Sequence, residues 1–232
     1  MQEKSNARVA ITGGTSGLGL ALVREFLNRG AQVAFVARGR ERVERVSQEH
    51  PGTHGIAGDV AAKEDIYPIA VQIAGELGGL DVLINNASDL GPAPLALLGD
   101  TDCTDFERAL ATNVLGPFRL TKALLGALTA AARENGAAAV VNISSDAAAS
   151  AYAGWGAYGT SKAALLHLTR IWNEEMAPEG VHFVSLDPGD MDTPMHALAV
   201  PGSDPAVLKR PETAACEVAD AALAILAQGD RQ

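Results

Sequence analysis

Aromatic residues and cysteines are both scarce in this chain, and each scarcity closes off a class of protein. Only 4% of the 232 residues are Phe, Trp or Tyr, and the two cysteines, Cys103 and Cys216, are too few for a disulfide framework and lack metal-ligand spacing. A reducing, cytoplasmic setting and no bound metal are therefore expected. No apolar run approaches the ~18 residues of a membrane span, and MQEKSNAR passes straight into a short apolar strand without a signal-peptide core. Basic charge is also short. The 18 Lys and Arg against 28 Asp and Glu leave a net charge of -10, which disfavours nucleic acid or an anionic membrane as partner. No Pro/Gly/Ser-rich linker or charge block divides the chain, so residues 1–232 read as one domain, with 47% hydrophobic content to fill its core.

What is present is alternation. Short apolar runs at 8–12, 32–37, 53–57, 82–85, 138–143 and 182–186 alternate with helical-period segments at 17–28, 40–49, 63–77, 104–134, 158–176 and about 211–227. Parallel strands joined by helical crossovers give this pattern, so the expected fold is α/β: a Rossmann-type doubly wound sheet of about six strands with helices on both faces. The first crossover opens with Thr12-Gly13-Gly14-Thr15-Ser16-Gly17-Leu18-Gly19. Gly13 permits a tight turn, Gly17 lets the backbone approach a pyrophosphate, and Gly19 allows close packing of helix on strand, with the helix N-terminus facing the phosphates. The second strand ends in Ala37-Arg38, with Arg40 close behind, where an NAD site usually holds an acid on the ribose 2'-hydroxyl. A guanidinium suits a 2'-phosphate instead, so NADP(H) is expected over NAD(H). Solvated loop charges are the alternative for these arginines.

Tyr158 and Lys162 are four residues apart in a helical segment and share one face. A phenol has a pKa of roughly 10, and an ammonium one turn away favours its ionised form. Ser145 precedes Tyr158 by 13 positions, with Ser144 as a competitor that strand alternation turns to the other side. Thr104-Asp105-Phe106-Glu107 reads as a capping box opening a long helix, in which Asn113 lies just before a bend expected at Gly116-Pro117. A serine hydrolase is disfavoured, because the chain has no G-x-S-x-G elbow and its histidines, 50, 54, 167, 182 and 196, form no pattern marking a general base.

From 8 to 193 the T-G-x-x-x-G-x-G turn, the serine, the Y-x-x-x-K pair and Pro188-Gly189 in this order resemble the compact branch of the short-chain dehydrogenases/reductases. The resemblance implies a carbonyl/alcohol oxidoreductase using NADP(H) and a small-molecule substrate. Tyr158 would be the general acid/base and Ser145 would hold the substrate oxygen. Lys162, together with the cationic oxidised nicotinamide, would lower the Tyr158 pKa and would bond the nicotinamide ribose, and Asn113 would support a water path. It implies cofactor contacts at Gly13, Thr15, Ser16, Gly17, Leu18, Gly19 and Arg38, at Asp59 and Val60 by the adenine, and at Asn86 and Ala87 along the cofactor. Tyr158, Lys162, Pro188, Gly189, Met191 and Thr193 would meet its nicotinamide half. Ser88 stands where the family usually has Gly. Within the family a 3-oxoacyl thioester reductase is the alternative. A cofactor-sensing regulator would be expected to have lost the Tyr/Lys/Ser set, and the longer epimerase branch needs a second domain.

The segment 194–209 is expected to form a mobile substrate lid, Tyr152 and Trp155 a pocket wall, and Asp89, Asp190 and His196 a polar rim. The family's seventh strand has no counterpart in Ala227-Gln228-Gly229-Asp230-Arg231-Gln232. The helices at 104–134 and 158–176 carry Leu110, Leu124, Leu128, Leu165, Leu168 and Trp172, which suggests a homodimer through these helices, with a tetramer the less expected assembly.

Overall fold

Apolar side chains at alternate positions of six strands decide the architecture of the computed structural model, which describes residues 6–229. Residues 1–5 and 230–232, on which part of the reading of both chain ends rests, lie outside the described residues. The strands are β1 Arg8–Thr12, β2 Gln32–Ala37, β3 Thr53–Ala57, β4 Val82–Asn85, β5 Ala138–Ile143 and β6 Val181–Leu186. All pair in parallel, in the order β3-β2-β1-β4-β5-β6. The order reverses between β1 and β4, so their carboxyl ends open a crevice there.

The helices are α1 Gly17–Asn28, α2 Arg40–Glu49, α3 Ile66–Leu77, α4 Cys103–Leu110, α5 Gly116–Asn135, α6 Gly156–Met176, α7 Pro194–Ala199 and α8 Pro211–Gly229. Strand alternation assigns them to two layers. Val9, Ile11, Val33 and Phe35 face α1, α2 and α8, and meet Leu22, Phe26, Val43 and Val218. Ala10, Ala34, Val36 and Leu83 face the other way and meet Ile69 and Ile73 of α3 and Leu120, Leu124 and Leu128 of α5. Both faces of the sheet are thus covered, as the near-continuous apolar strands require.

Most expected boundaries coincide with the observed ones, with β6, α6 and α8 shifted at one end by no more than two residues; the larger differences are at α3 and α4 to α5. A 3-10 turn at Lys63–Asp65 precedes α3. The capping box at Thr104 does not form. Helix α4 starts one residue earlier, capped by the backbone of Asp102, whose carbonyl receives the amides of Asp105 and Phe106, and no side chain caps it. The expected long helix 104–134 is instead α4, a π-helical turn Ala111–Leu115 and α5. Pro117 has no amide hydrogen to give the Asn113 carbonyl, and the Gly116 amide reaches back to Ala111, so the irregularity lies where the proline demands it. It turns the Asn113 side chain inward: that residue is fully buried.

Buried polar groups tie the crevice-forming strand ends together. The Asn85 amide donates to Asn142 Oδ1 (2.8 Å), and the Asn142 amide to Thr169 Oγ1 (2.8 Å), which links β4, β5 and α6. Thr12 Oγ1 receives the amides of Asn86 and Ala87, each at 3.0 Å, and pins the end of β4 to that of β1. Each of these buried groups is satisfied, which is the condition under which a polar network rigidifies a core.

Of the six apolar residues on the two helices, Leu110, Leu168 and Trp172 are half-buried and the other three are not available to a second subunit. Leu124, Leu128 and Leu165 are buried within their own subunit, the first two in the core against α3 and the sheet. Trp172 stacks on Phe183 of β6 (5.5 Å, 8° between planes). The large apolar residues exposed around this surface are Leu115, Phe118 and Ile171.

Candidate active site

The site begins with the glycine turn after β1. The amides of Gly13 and Gly14 both donate to the Val36 carbonyl, folding the turn back on the end of β2. Gly13 has φ +74°, and a Cβ on Gly19 would overlap the Gly13 carbonyl oxygen, so α1 can start this close only without side chains at both positions. The amides of the first turn of α1 face a cavity of about 1060 Å³. Gly13, Thr15, Ser16, Gly17, Leu18 and Gly19 line it, as do Asp59, Val60, Asn86, Ala87, Pro188, Gly189, Met191 and Thr193, so every expected cofactor contact borders one space.

Several of these residues also hold the cavity's shape. Asn86 donates to the Thr12 carbonyl (2.9 Å), and Asp59 Oδ1 receives the Ala61 amide (2.9 Å). Thr193 Oγ1 caps α7 by accepting the His196 amide (3.2 Å). At the end of β2 Arg38 lines the cavity, but Arg40 does not; Arg42 does. The sequence reading missed Arg42, whose signal was its position one helical turn beyond Arg38. Two exposed guanidiniums, and no acid at Ala37, suit a ribose 2'-phosphate, while the glycine turn and orphan amides of α1 suit a pyrophosphate. The residues present therefore fit NADP(H).

At the other end of the cavity β5 and α6 bring Ser145, Tyr158 and Lys162 together. Ser145 and Ser88 both stand near enough to the Tyr158 phenol to favour its ionised form. Lys162, fully buried, donates from Nζ to the Ile143 carbonyl (2.7 Å) and lies 5.4 Å from the centre of the Tyr158 ring. Ser144 also lines the cavity but does not bond the phenol; its amide pairs with Leu186 across the sheet. Asn113 Nδ2 donates to the Asp89 carbonyl and Ser161 Oγ, both at 2.8 Å, and its Oδ1 receives Ser88 Oγ (3.2 Å) and the Asp89 amide (2.7 Å). Ser88 thus extends the Asn113 hydrogen-bond network to the neighbourhood of Tyr158. From the sequence it registered only as a replacement for glycine.

The electrostatics differ from expectation. Burial, with Asp187 and Asp146 adding to it, pushes the Tyr158 phenol up to about 12, although Ser145 and Ser88 nearby act the other way. Lys162 does not reverse this, because burial pulls its own ammonium down to about 8, with Asp187 opposing. Asp187 was read only as part of a turn, yet its charge acts on both groups. The phenol is held protonated beside a weakly held ammonium. A phenol, a hydroxyl and an ammonium in one cavity can protonate, hold and stabilise an oxygen that gains negative charge.

Leu90, Ala147, Tyr158 and Ala199 form a small buried cluster with Leu95, Trp155 and Met195 against it, so α7 of the expected lid packs directly over the phenol. Trp155 meets Tyr158 edge-on at 5.6 Å. The base of this segment is pinned where Lys209 exchanges backbone hydrogen bonds with Asp190 and Asp192. Tyr152, Trp155, Asp190 and His196 all line the cavity, as expected. Asp89 lines it too, but its carboxylate is engaged by Arg108 Nε (3.1 Å) and the Gly91 amide, so it adds little free charge to the rim. Asp146, not singled out from the sequence, is an exposed acid on that wall. Among the described residues no helix is long and apolar enough to cross a membrane.

Residues 7–202 match the short chain dehydrogenase family model. Over 195 residues the chain is 34% identical to 2-(R)-hydroxypropyl-CoM dehydrogenase of Xanthobacter autotrophicus, covering 82% of this chain and 76% of the relative. It is 33% identical to L-fucose dehydrogenase of Mus musculus over 198 residues, 85% of this chain and 70% of the relative. The crystal structure of a short chain dehydrogenase from Escherichia coli CFT073 complexed with NADPH superposes with a TM-score of 0.83 at 26% identity, covering 97% of this chain and 93% of that one.

Proposed function

The chain belongs to the short-chain dehydrogenase/reductase family of oxidoreductases, and from that premise we propose that it is an NADP(H)-dependent carbonyl reductase acting on a small molecule. One observation carries the reading: Ser145, Tyr158 and Lys162 converge at one end of a cavity whose other end presents Arg38 and Arg42. Bound NADPH would supply a hydride. The chain's own residues do the rest. Ser145 holds the carbonyl oxygen with a hydrogen bond that strengthens as negative charge builds there. Tyr158, protonated at neutral pH, donates the proton that completes the alcohol. Lys162 offsets the charge left on the phenol, and Asn113 holds Ser88 in place beside it. The lid over the phenol excludes water.

Arg38, Arg42, Asp59 and the glycine turn would hold the adenosine half, and Pro188, Gly189, Met191 and Thr193 the nicotinamide half. The intact Ser/Tyr/Lys set argues against a silent cofactor sensor, and both relatives are named as dehydrogenases. The two free cysteines suit a reducing cytoplasm. The reading is tested by following nicotinamide absorbance with a panel of ketones, aldehydes and 3-oxoacyl thioesters, each with NADPH and with NADH.

The functional unit on this reading is a homodimer through α5 and α6, using Leu115, Phe118 and Ile171, since Leu124, Leu128 and Leu165 are buried. A two-fold contact of this kind uses the same patch on both subunits and closes on itself. Light scattering at micromolar concentration is expected to give twice the chain mass, and Phe118→Glu to give monomer. A wild-type monomer, or a dimer unchanged by Phe118→Glu, contradicts the assignment.

A further inference from the structure

The serine that would hold the substrate oxygen is followed by an acid on the same cavity wall, and the two are joined. Ser145 Oγ donates to Asp146 Oδ1 at 3.0 Å, and Tyr152 Oη donates to Asp146 Oδ2 at 2.7 Å. Asp146 is therefore oriented from both sides. The Tyr152 bond, with that of Ser145, holds the carboxyl below the usual range, so it is an anion at neutral pH. Ser145 also receives the Ala147 amide at 3.2 Å, which leaves its single proton as the only group it can redirect.

That proton poses an exchange. When Ser145 turns to hold a carbonyl oxygen, Asp146 Oδ1 loses its donor. A simple ketone offers no replacement, and water must fill the gap. A hydroxyl on the carbon next to the carbonyl does offer one: its oxygen lies about one hydrogen-bond length from the carbonyl oxygen, the same separation as Ser145 Oγ from Asp146 Oδ1. With the carbonyl oxygen on Ser145, the neighbouring hydroxyl can donate to Asp146 and restore the bond the serine gave up. Among the residues lining this end of the cavity, Asp187 and Asp190 add further negative charge, and the buried Lys162 provides the cation, so an anionic substrate is disfavoured.

Building on the reductase reading, we propose that Asp146, aimed by Tyr152, is the specificity residue of this site and selects α-hydroxy carbonyl compounds, or vicinal diols in the reverse direction. Hydrogen bonds to charged groups are among the stronger ones, but Asp146 is exposed and water can partly compensate, so the selection is expected to be at least about fivefold.

Three small ketones test this with NADPH. Hydroxyacetone carries the donor, methoxyacetone keeps the electron-withdrawing oxygen without the donor, and butanone has the size alone. Wild-type kcat/KM for hydroxyacetone is expected to exceed both others at least about fivefold, and Asp146→Ala to bring the hydroxyacetone/methoxyacetone ratio within about twofold of unity. Asp146→Asn, which keeps the shape, should lower the same ratio, and NADPH affinity measured by fluorescence reports whether each variant is folded. A wild-type ratio near one, or a ratio unchanged in both variants, overturns the proposal while leaving ketone reduction in place. Faster reduction of aminoacetone than of hydroxyacetone also overturns it, because Asp146 would then be reading positive charge. Consumption of none of these ketones overturns the reductase reading itself and this proposal with it.

Discussion

Tyr158→Phe is expected to lower turnover by at least about 100-fold while NADPH affinity changes by less than about threefold, because the substitution removes the proton and keeps the ring. The ring packs against Ala147, Ala199 and Trp155, none of which depends on the hydroxyl, so the fold should tolerate the change. Steady-state rates with a fluorescence titration of NADPH separate the two effects. Activity within threefold of wild type would show that another group is the acid. The same chemistry predicts a pH profile. In reduction Tyr158 acquires negative charge as it gives up its proton, and the Lys162 ammonium offsets that charge. Burial brings Lys162 down to about 8, so its proton is lost as pH rises through that value and the rate should fall above it. The phenol, pushed up to about 12, stays protonated across this range and adds no limb of its own.

Removing both Arg38 and Arg42 is expected to weaken NADPH binding at least about 30-fold and NADH binding less than about threefold, since each guanidinium can give a charge-assisted bond that only the 2'-phosphate receives. Arg38→Ala alone should account for about tenfold of this. Both side chains are exposed, so the loss should shrink as salt is added. Calorimetric titration of each cofactor measures the difference without relying on turnover. Equal weakening for both cofactors would remove these arginines from the 2'-phosphate.

The strands were readable because a sheet covered on both faces needs continuous short apolar runs, and the site motifs because each sits where such a strand ends. What escaped the sequence depends on geometry between elements. Leu124, Leu128 and Leu165 looked like surplus apolar surface, but spacing alone does not say whether a helix stripe meets its own sheet or a second subunit. Arg42 joins Arg38 only because α2 starts at once after β2 and turns back over the cavity. Ser88 and Asp187 carry no signal of their own in the sequence, since isolated polar residues after a strand ordinarily serve turns. Their influence on the phenol and the ammonium comes from elements well apart in the chain meeting in one crevice, Ser88 from the end of β4 and Asp187 from the end of β6. What the helical spacing leaves out at Tyr158 has a related cause: burial raises the phenol before any cofactor charge acts on it. A helical spacing predicts that the cation is near, but it does not predict that both groups are buried deeply enough for desolvation to win.

The central claim is hydride delivery from NADPH to a carbonyl carbon in this cavity. Incubating the protein with NADPH deuterated on one or the other face of C4, together with hydroxyacetone or butanone, tests it most directly. The account predicts that mass spectrometry finds deuterium on the carbinol carbon of the product for one labelled face only, at a rate that Tyr158→Phe abolishes. No labelled alcohol from either face, with NADPH unconsumed across the ketone panel, would contradict it.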